Sequence, residues 1–252
     1  MKNFLNVHDV DNVEQLAQEA IALKNHKFEF QHLSKQQTMV LLFLNSSLRT
    51  RISTQKAAQN LGMQTIVLNL GQDSWQMEYE DGAIMNGNTA EHIKEGAAVI
   101  SEYADIIGIR AFPTLVDKQR DYSEYVLHKF LENVKVPVVN MESATVHPLQ
   151  SLTDLMTIRE HSNKPKPKVV LSWAPHIRAL PQCVSNSFAE WMNRAEVEFV
   201  ITHPKGYELD EKFSGKAKII HNQEEAFENA DFIYAKNWSA YTDYGKILDE
   251  HA

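Results

Sequence analysis

Along the 252-residue chain, short unbroken apolar runs alternate with longer stretches in which apolar positions return every three or four residues. TMVLLFL at 38–44 is a run of the kind a parallel strand needs when both of its faces are covered. The helical pattern of ISTQKAAQNLG follows it, with Gly62 placed to close the helix. QTIVLNL at 64–70 predicts a second strand, EHIKEGAAVISEY at 91–103 a helix, ADIIGIR at 104–110 a third strand, 121–133 a helix and VPVVNM at 136–141 a fourth strand. Before them, VEQLAQEAIALK predicts an amphipathic helix ending near Lys24 and capped by Asp9 or Asp11. Strand and helix alternate throughout, which is the pattern of a parallel α/β sheet.

PLQSLTDLMTIREHS at 148–162 reads as one helix with an apolar stripe through Leu149, Leu152 and Leu155. NKPKPK at 163–168 is a turn, and the alternation then restarts with strands at 169–173, 197–201, 217–220 and 230–236 and helices near 186–193 and 223–229. The expected fold is therefore α/β with two parallel-sheet lobes, 1–147 and 148–252. The second lobe looks incomplete, because NWSAYTDYGKILDEHA at the end reads as a loop and the start of another element. The polar loop at 71–89 exceeds the usual length of a connection, so it invites a functional or intersubunit role.

Composition narrows the partners. With 33 acidic and 25 basic residues the net charge is −8, and no basic run offers a nucleic-acid backbone an electrostatic footprint. No apolar run approaches bilayer length, and the N-terminus lacks a signal-peptide pattern, so a cytoplasmic protein with no membrane role is expected. One cysteine, Cys183, forms no intrachain disulfide and has no second thiol at metal or redox spacing. The histidines show no ligand spacing either. No metal or other cofactor is expected, and the absence of G-x-G-x-x-G argues against a dinucleotide enzyme.

Chemistry collects at strand ends. SSLRTR at 46–51 lies between the first strand and its helix, where free N–H groups, the helix dipole and hydroxyls converge on an anion, and arginine supplies a forked donor set for phosphate oxygens. Ser47, Arg49 and Thr50 face such an anion, while Arg51 lies on another side of the turn. The same spacing equally suits a solvated helix cap, and the glycines and lysine of a Walker loop are missing. Arg110 closes the third strand on the ligand-gathering side of a parallel sheet, a surface arginine being the other reading. His147 and Gln150 open the helix after the fourth strand and are equipped either to hydrogen-bond a carbonyl and an amide or to cap and pack.

In order and spacing, SSLRTR, Arg110 and HPLQ at 147–150 resemble the Ser-x-Arg-Thr-Arg, Arg and His-Pro-x-Gln elements of the aspartate and ornithine carbamoyltransferase superfamily. QDSWQMEYEDG, NMESATVHPLQSLTDL, WAPHIRALPQCVSNSFAEW, THPKGYELD and YAKNWSAYT resemble its branch acting on N-acylated ornithines, and the similarity runs over essentially the whole chain. The resemblance implies transfer of the carbamoyl group of carbamoyl phosphate to the side-chain amine of an N-acylated ornithine in arginine biosynthesis, succinyl being favoured over acetyl as the acyl group. Ser47, Leu48, Arg49, Thr50 and Arg110 are then expected at the phosphoryl group, His147 at the carbonyl oxygen and Gln150 at the carbamoyl NH2. Glu142, His176, Asn186 and Lys236 are expected to line the acyl-ornithine side. Trp75 is expected to reach into a neighbouring active site of a homotrimer. The His-Cys-Leu-Pro motif of the family has no counterpart here, Cys183 lying in a different motif. The chain is therefore expected to be C-terminally truncated, binding carbamoyl phosphate with weak or no turnover; a non-catalytic phosphate-binding relative is the rival from another class.

Overall fold

The computed structural model describes residues 2–247. A short 3-10 turn, Val7–Asp9, leads into α1 (Val13–Asn25) and α2 (Gln31–Ser34). There follow β1 (Thr38–Phe43), α3 (Arg49–Asn60), β2 (Gln64–Asn69), β3 (Met77–Glu78), β4 (Glu91–His92), α4 (Ile93–Glu102), β5 (Ile106–Arg110), α5 (Lys118–Tyr122), α6 (Tyr125–Leu131) and β6 (Val138–Glu142). The remainder is α7 (Pro148–His161), β7 (Lys168–Trp173), α8 (Cys183–Met192), β8 (Glu198–Thr202), α9 (Glu211–Ser214), β9 (Lys218–Ile219), α10 (Gln223–Phe227) and β10 (Phe232–Lys236). The further element expected at the end of the chain falls outside the described residues. No described helix is long and apolar enough to cross a membrane.

Two compact units form. The first comprises 1–5, 22–112 and 123–143, and the second 6–21, 113–122 and 144–252. The single cut expected after His147 is thus replaced by a discontinuous division, and the reason lies in particular bonds. Arg159 of α7 pairs with Glu14, and Arg194 Nη1 donates to the carbonyls of Val7 and Val10 at 2.7 and 3.1 Å, binding 6–21 to the second unit. Asp121 accepts from Tyr244 Oη at 2.9 Å and Lys118 Nζ donates to the Tyr241 carbonyl at 2.9 Å, which ties 113–122 to the same unit.

The first unit carries a four-stranded sheet in the order β2-β1-β5-β6, parallel throughout. Its central strands are apolar because helices cover both faces: Val40, Leu42, Ile107 and Ile109 are buried with Ile93, Ala97, Leu127, Phe130 and Val138. Gly108, alternating with Ile107 and Ile109 along β5, leaves room for Leu41 and Met141 on the other face. A Cβ there would stand 2.9 Å from both Leu41 Cδ2 and Met141 Sδ. The second unit repeats the design in the order β10-β7-β8-β9, again parallel. Val170, Val200, Ile220 and Ala226 form one buried cluster, and Phe188 of α8 stacks on Tyr234 of β10 with centroids 4.4 Å apart.

Several local expectations need correction. Asn12, rather than Asp9 or Asp11, caps α1 by accepting from the Gln15 N–H at 3.0 Å. The helix expected at 121–133 is broken because Glu124 adopts φ +52°, a left-handed backbone held by the bond from Ser143 Oγ to Glu124 Oε1 at 2.7 Å. The helix expected from 91 begins at Ile93, since Glu91 and His92 pair with Met77 and Glu78.

Candidate active site

In the first sheet the chain runs outward from β1 to β2 and then returns to the other flank of β1 as β5. The carboxyl ends of β1 and β5 therefore frame a topological switch point, the place where open parallel sheets leave a crevice for ligands. Two of the expected elements stand there. Helix α3 starts at Arg49, three residues earlier than the apolar period suggested, and its N-cap Leu48 contributes no side-chain cap. The first helical bond nearby runs from the Ile52 N–H to the Leu48 carbonyl, so the N–H groups of Arg49, Thr50 and Arg51 lie in the opening turn, whose partial positive charge favours an anion. Arg49 and Leu48 are exposed, and Ser47 and Thr50 half-buried. Arg51 is turned away: its Nη1 donates to Asn69 Oδ1 at 2.8 Å and its guanidinium lies 5.7 Å from the Phe43 ring.

Arg110 is no surface arginine, being 8% exposed. A register shift between Ile109 and Arg110 sets Arg110 opposite Glu142 instead of Met141, as a bulge does when it re-aims a side chain. Its Nε and Nη2 meet Glu142 Oε2 at 2.9 and 2.8 Å, and its Nη1 donates to the carbonyls of Asn45 and Ser46 at 3.2 and 3.1 Å. Asn45 Oδ1 in turn accepts from the Phe112 N–H at 3.0 Å. Arg110 thus clamps the loop that delivers Ser47 and Arg49, and a carboxylate balances its charge. Glu142, expected on the acyl-ornithine side, is the counter-ion of that clamp.

Trp75 lies in the same unit, 60% exposed, its indole N–H donating to Glu91 Oε2 at 2.8 Å.

The second unit has a switch point of its own, between β7 and β10. Lys236 ends β10 there, its carbonyl accepting from the Ala174 N–H at 3.0 Å, and Asn237 Nδ2 donates to the Ala174 carbonyl at 2.8 Å. His176 follows in the exposed loop after β7, where the Arg178 N–H donates to its Nδ1 at 3.1 Å. His147 occupies the N-cap position of α7, with Pro148 in the first turn. Gln150 Nε2 donates to Asp154 Oδ1 at 2.8 Å. Asn186 is fully buried in α8, and its Nδ2 donates to the Thr145 carbonyl at 3.3 Å. It thereby braces the segment that leads to His147.

The structure groups Ser47, Leu48, Arg49, Thr50, Arg110 and Glu142 in one unit with Trp75, and His147, Gln150, His176, Asn186 and Lys236 in the other. Sequence reasoning passed over Asn45 and Asp154. The second was readable from the i, i+4 spacing of a glutamine and an aspartate on one helix. Burial raises the Asp154 pKa from the ordinary 3.8 to about 6, partly opposed by the bond from Gln150.

Comparison with known proteins places this fold in a class. The profile described as aspartate/ornithine carbamoyltransferase, carbamoyl-P binding domain, matches residues 2–160. The chain belongs to the aspartate/ornithine carbamoyltransferase family. It is 51% identical over 250 residues to an N-succinylornithine carbamoyltransferase of Bacteroides fragilis, spanning 98% of this chain and 79% of that relative. With an N-acetylornithine carbamoyltransferase of Xanthomonas campestris it shares 35% identity over 262 aligned residues, 97% of this chain and 76% of the relative. Among solved structures, acetylornithine transcarbamylase complexed with acetylcitrulline superposes with a TM-score of 0.89 at 35% identity, covering 97% of this chain and 78% of that one.

Proposed function

We propose that the protein transfers the carbamoyl group of carbamoyl phosphate to the side-chain amine of N-succinyl-L-ornithine, giving N-succinyl-L-citrulline and phosphate. The observation that carries the donor half is the first switch point, where a clamped loop delivers Arg49 and an uncapped helix start. The acceptor is supported by the 51% identity to an N-succinylornithine carbamoyltransferase, against 35% to N-acetylornithine carbamoyltransferases.

In this reading Ser47, the Leu48 backbone, Arg49 and Thr50 hold the phosphoryl group, with Arg110 fixing their loop and donating toward the leaving oxygens. The neutral amine attacks the carbonyl carbon, the new C–N bond forms, and the carbonyl oxygen gathers charge that His147 stabilises by donation. Collapse of the tetrahedral intermediate breaks the bond between carbon and the bridging oxygen. Phosphate leaves with that electron pair and accepts the proton released by the amine. Gln150 orients the carbamoyl NH2. Lys236 pairs with a substrate carboxylate, and Glu142, His176 and Asn186 line the acyl-ornithine side with it, Glu142 also balancing Arg110 and Asn186 bracing the segment that leads to His147. Such catalysis works by positioning and electrostatics. Trp75 would complete a neighbouring site in a cytoplasmic homotrimer, and this step would serve arginine biosynthesis.

The test is citrulline-type product formation by the purified chain with carbamoyl phosphate and, separately, N-succinylornithine, N-acetylornithine and ornithine. Product with N-succinylornithine in preference to the others is expected. Preference for acetylornithine would replace the acceptor, and carbamoyl-phosphate binding with no product from any acceptor would reduce the function of this 252-residue chain to ligand binding.

A further inference from the structure

Gln150 and Asp154 stand one turn apart on α7, and the bond between them runs from the Gln150 amide NH2 to Asp154 Oδ1 at 2.8 Å. A primary amide has two unlike ends, two donors on nitrogen and an acceptor on oxygen, and nothing in its shape distinguishes them. Whatever holds one end decides what the other end offers. An ionised carboxylate is acceptor-only, so it selects the NH2 end and turns Gln150 Oε1 the opposite way. Asp154 is itself well fixed: it rides on a helix, its Oδ2 is enclosed, and Tyr234 of β10 faces the same carboxyl without closing a well-formed hydrogen bond.

We propose that Asp154 is a positioning residue for carbamoyl transfer, holding the Gln150 NH2 so that the Gln150 carbonyl oxygen accepts a hydrogen bond from the NH2 of carbamoyl phosphate. The inference rests on the reading of Gln150 given above and adds to it the source of donor-substrate selectivity. Were the amide reversed, two NH2 groups would oppose each other, and the site would no longer distinguish an NH2 from a methyl group. Acetyl phosphate supplies that comparison, because it keeps the phosphate and the carbonyl of carbamoyl phosphate and carries a methyl in place of the NH2.

Binding of carbamoyl phosphate and of acetyl phosphate is measured separately for the wild-type chain, Asp154→Leu and Asp154→Asn. The wild type is expected to prefer carbamoyl phosphate. Asp154→Leu should weaken carbamoyl phosphate by about tenfold, the worth of one hydrogen bond, while acetyl phosphate stays within about twofold. Asp154→Asn, whose amide oxygen accepts the same bond, should recover most of the preference. A purely structural role predicts that both ligands weaken together, and that result overturns the inference, as does an unchanged preference in Asp154→Leu. Should Asp154→Leu fail to fold, Asp154→Ala, which likewise removes the acceptor of the Gln150 bond, is measured in its place with the same expected loss for carbamoyl phosphate alone, and a joint loss of both ligands or an unchanged preference overturns the inference. A wild-type chain that binds neither ligand overturns the transferase reading as a whole, whereas the loss patterns above overturn only the role of Asp154.

Discussion

Replacing Glu142 by alanine isolates the clamp at the first switch point. Arg110 and Glu142 are 8% and 7% exposed, so water scarcely screens the pair, and both the Nε and Nη2 contacts end on a single oxygen, Oε2. Glu142→Ala leaves the guanidinium buried with two donors lacking that acceptor. At about 1–3 kcal/mol for each orphaned donor, the loss brackets the roughly 3–5 kcal/mol typical of breaking a buried pair from one side. Urea unfolding at neutral pH measures it as a lower midpoint at unchanged slope. The pair itself is worth less than this number, because most of the loss is the cost of stranding a charge. The double variant Arg110→Met, Glu142→Leu should therefore be more stable than Glu142→Ala by at least about 1 kcal/mol. Recovery stays incomplete, since the Asn45 and Ser46 carbonyls also lose the Arg110 donors. A loss below about 1 kcal/mol in Glu142→Ala, or no recovery in the double variant, would refute the clamp.

Arg49→Met should weaken carbamoyl-phosphate binding by about 10- to 100-fold, the value of a charged hydrogen bond, while leaving the thermal midpoint nearly unchanged because Arg49 is exposed; calorimetric titration beside a melting curve reads both. Gly108→Ala forces a methyl to within 2.9 Å of Leu41 Cδ2 and Met141 Sδ and should cost about 1–3 kcal/mol, seen as a lower midpoint in thermal unfolding; an unchanged midpoint would mean that the two side chains move aside freely. Burial raises the Asp154 pKa from 3.8 to about 6, so the folded chain holds this proton more tightly than the unfolded one. The stability this group contributes is full below about pH 4 and is lost as pH rises through 6, by at most roughly 3 kcal/mol. Asp154→Asn should flatten that part of the profile in urea titrations between pH 4 and 7, and parallel profiles for the two chains would contradict it.

What could be read from the sequence depended on how local the cause was. The central strands β1 and β7 announce themselves because both faces are covered and nearly every position is apolar. The two-residue strands β3 and β4 carry no such pattern, since each is set by its partner on the far side of the polar loop. The left-handed Glu124 was hidden for a similar reason, its bond to Ser143 Oγ coming from beyond β6. At the site, Arg110 was visible as an arginine at a strand end. Its counter-ion was not, because simple alternation pairs Arg110 with Met141, and only the one-residue shift between Ile109 and Arg110 brings Glu142 across from it.

That shift changes what the two arginines of the first unit contribute. Arg110 and Glu142 together carry no net charge, so within a chain of net charge −8 they add little long-range attraction for a phosphate. Apart from the donation proposed for Arg110, their contribution is geometric, a guanidinium held to two loop carbonyls so that Ser47 and the α3 N-terminus stand in place before any ligand arrives. The uncompensated positive charge comes from Arg49 and from the partial charges of the uncapped helix start. Arg49 is exposed, so its charge is open to an incoming anion. Dividing the work between a charge-balanced arginine that fixes the loop and an exposed one that carries net charge would suit the proposed reaction, which must bind an acyl phosphate firmly and release inorganic phosphate afterwards.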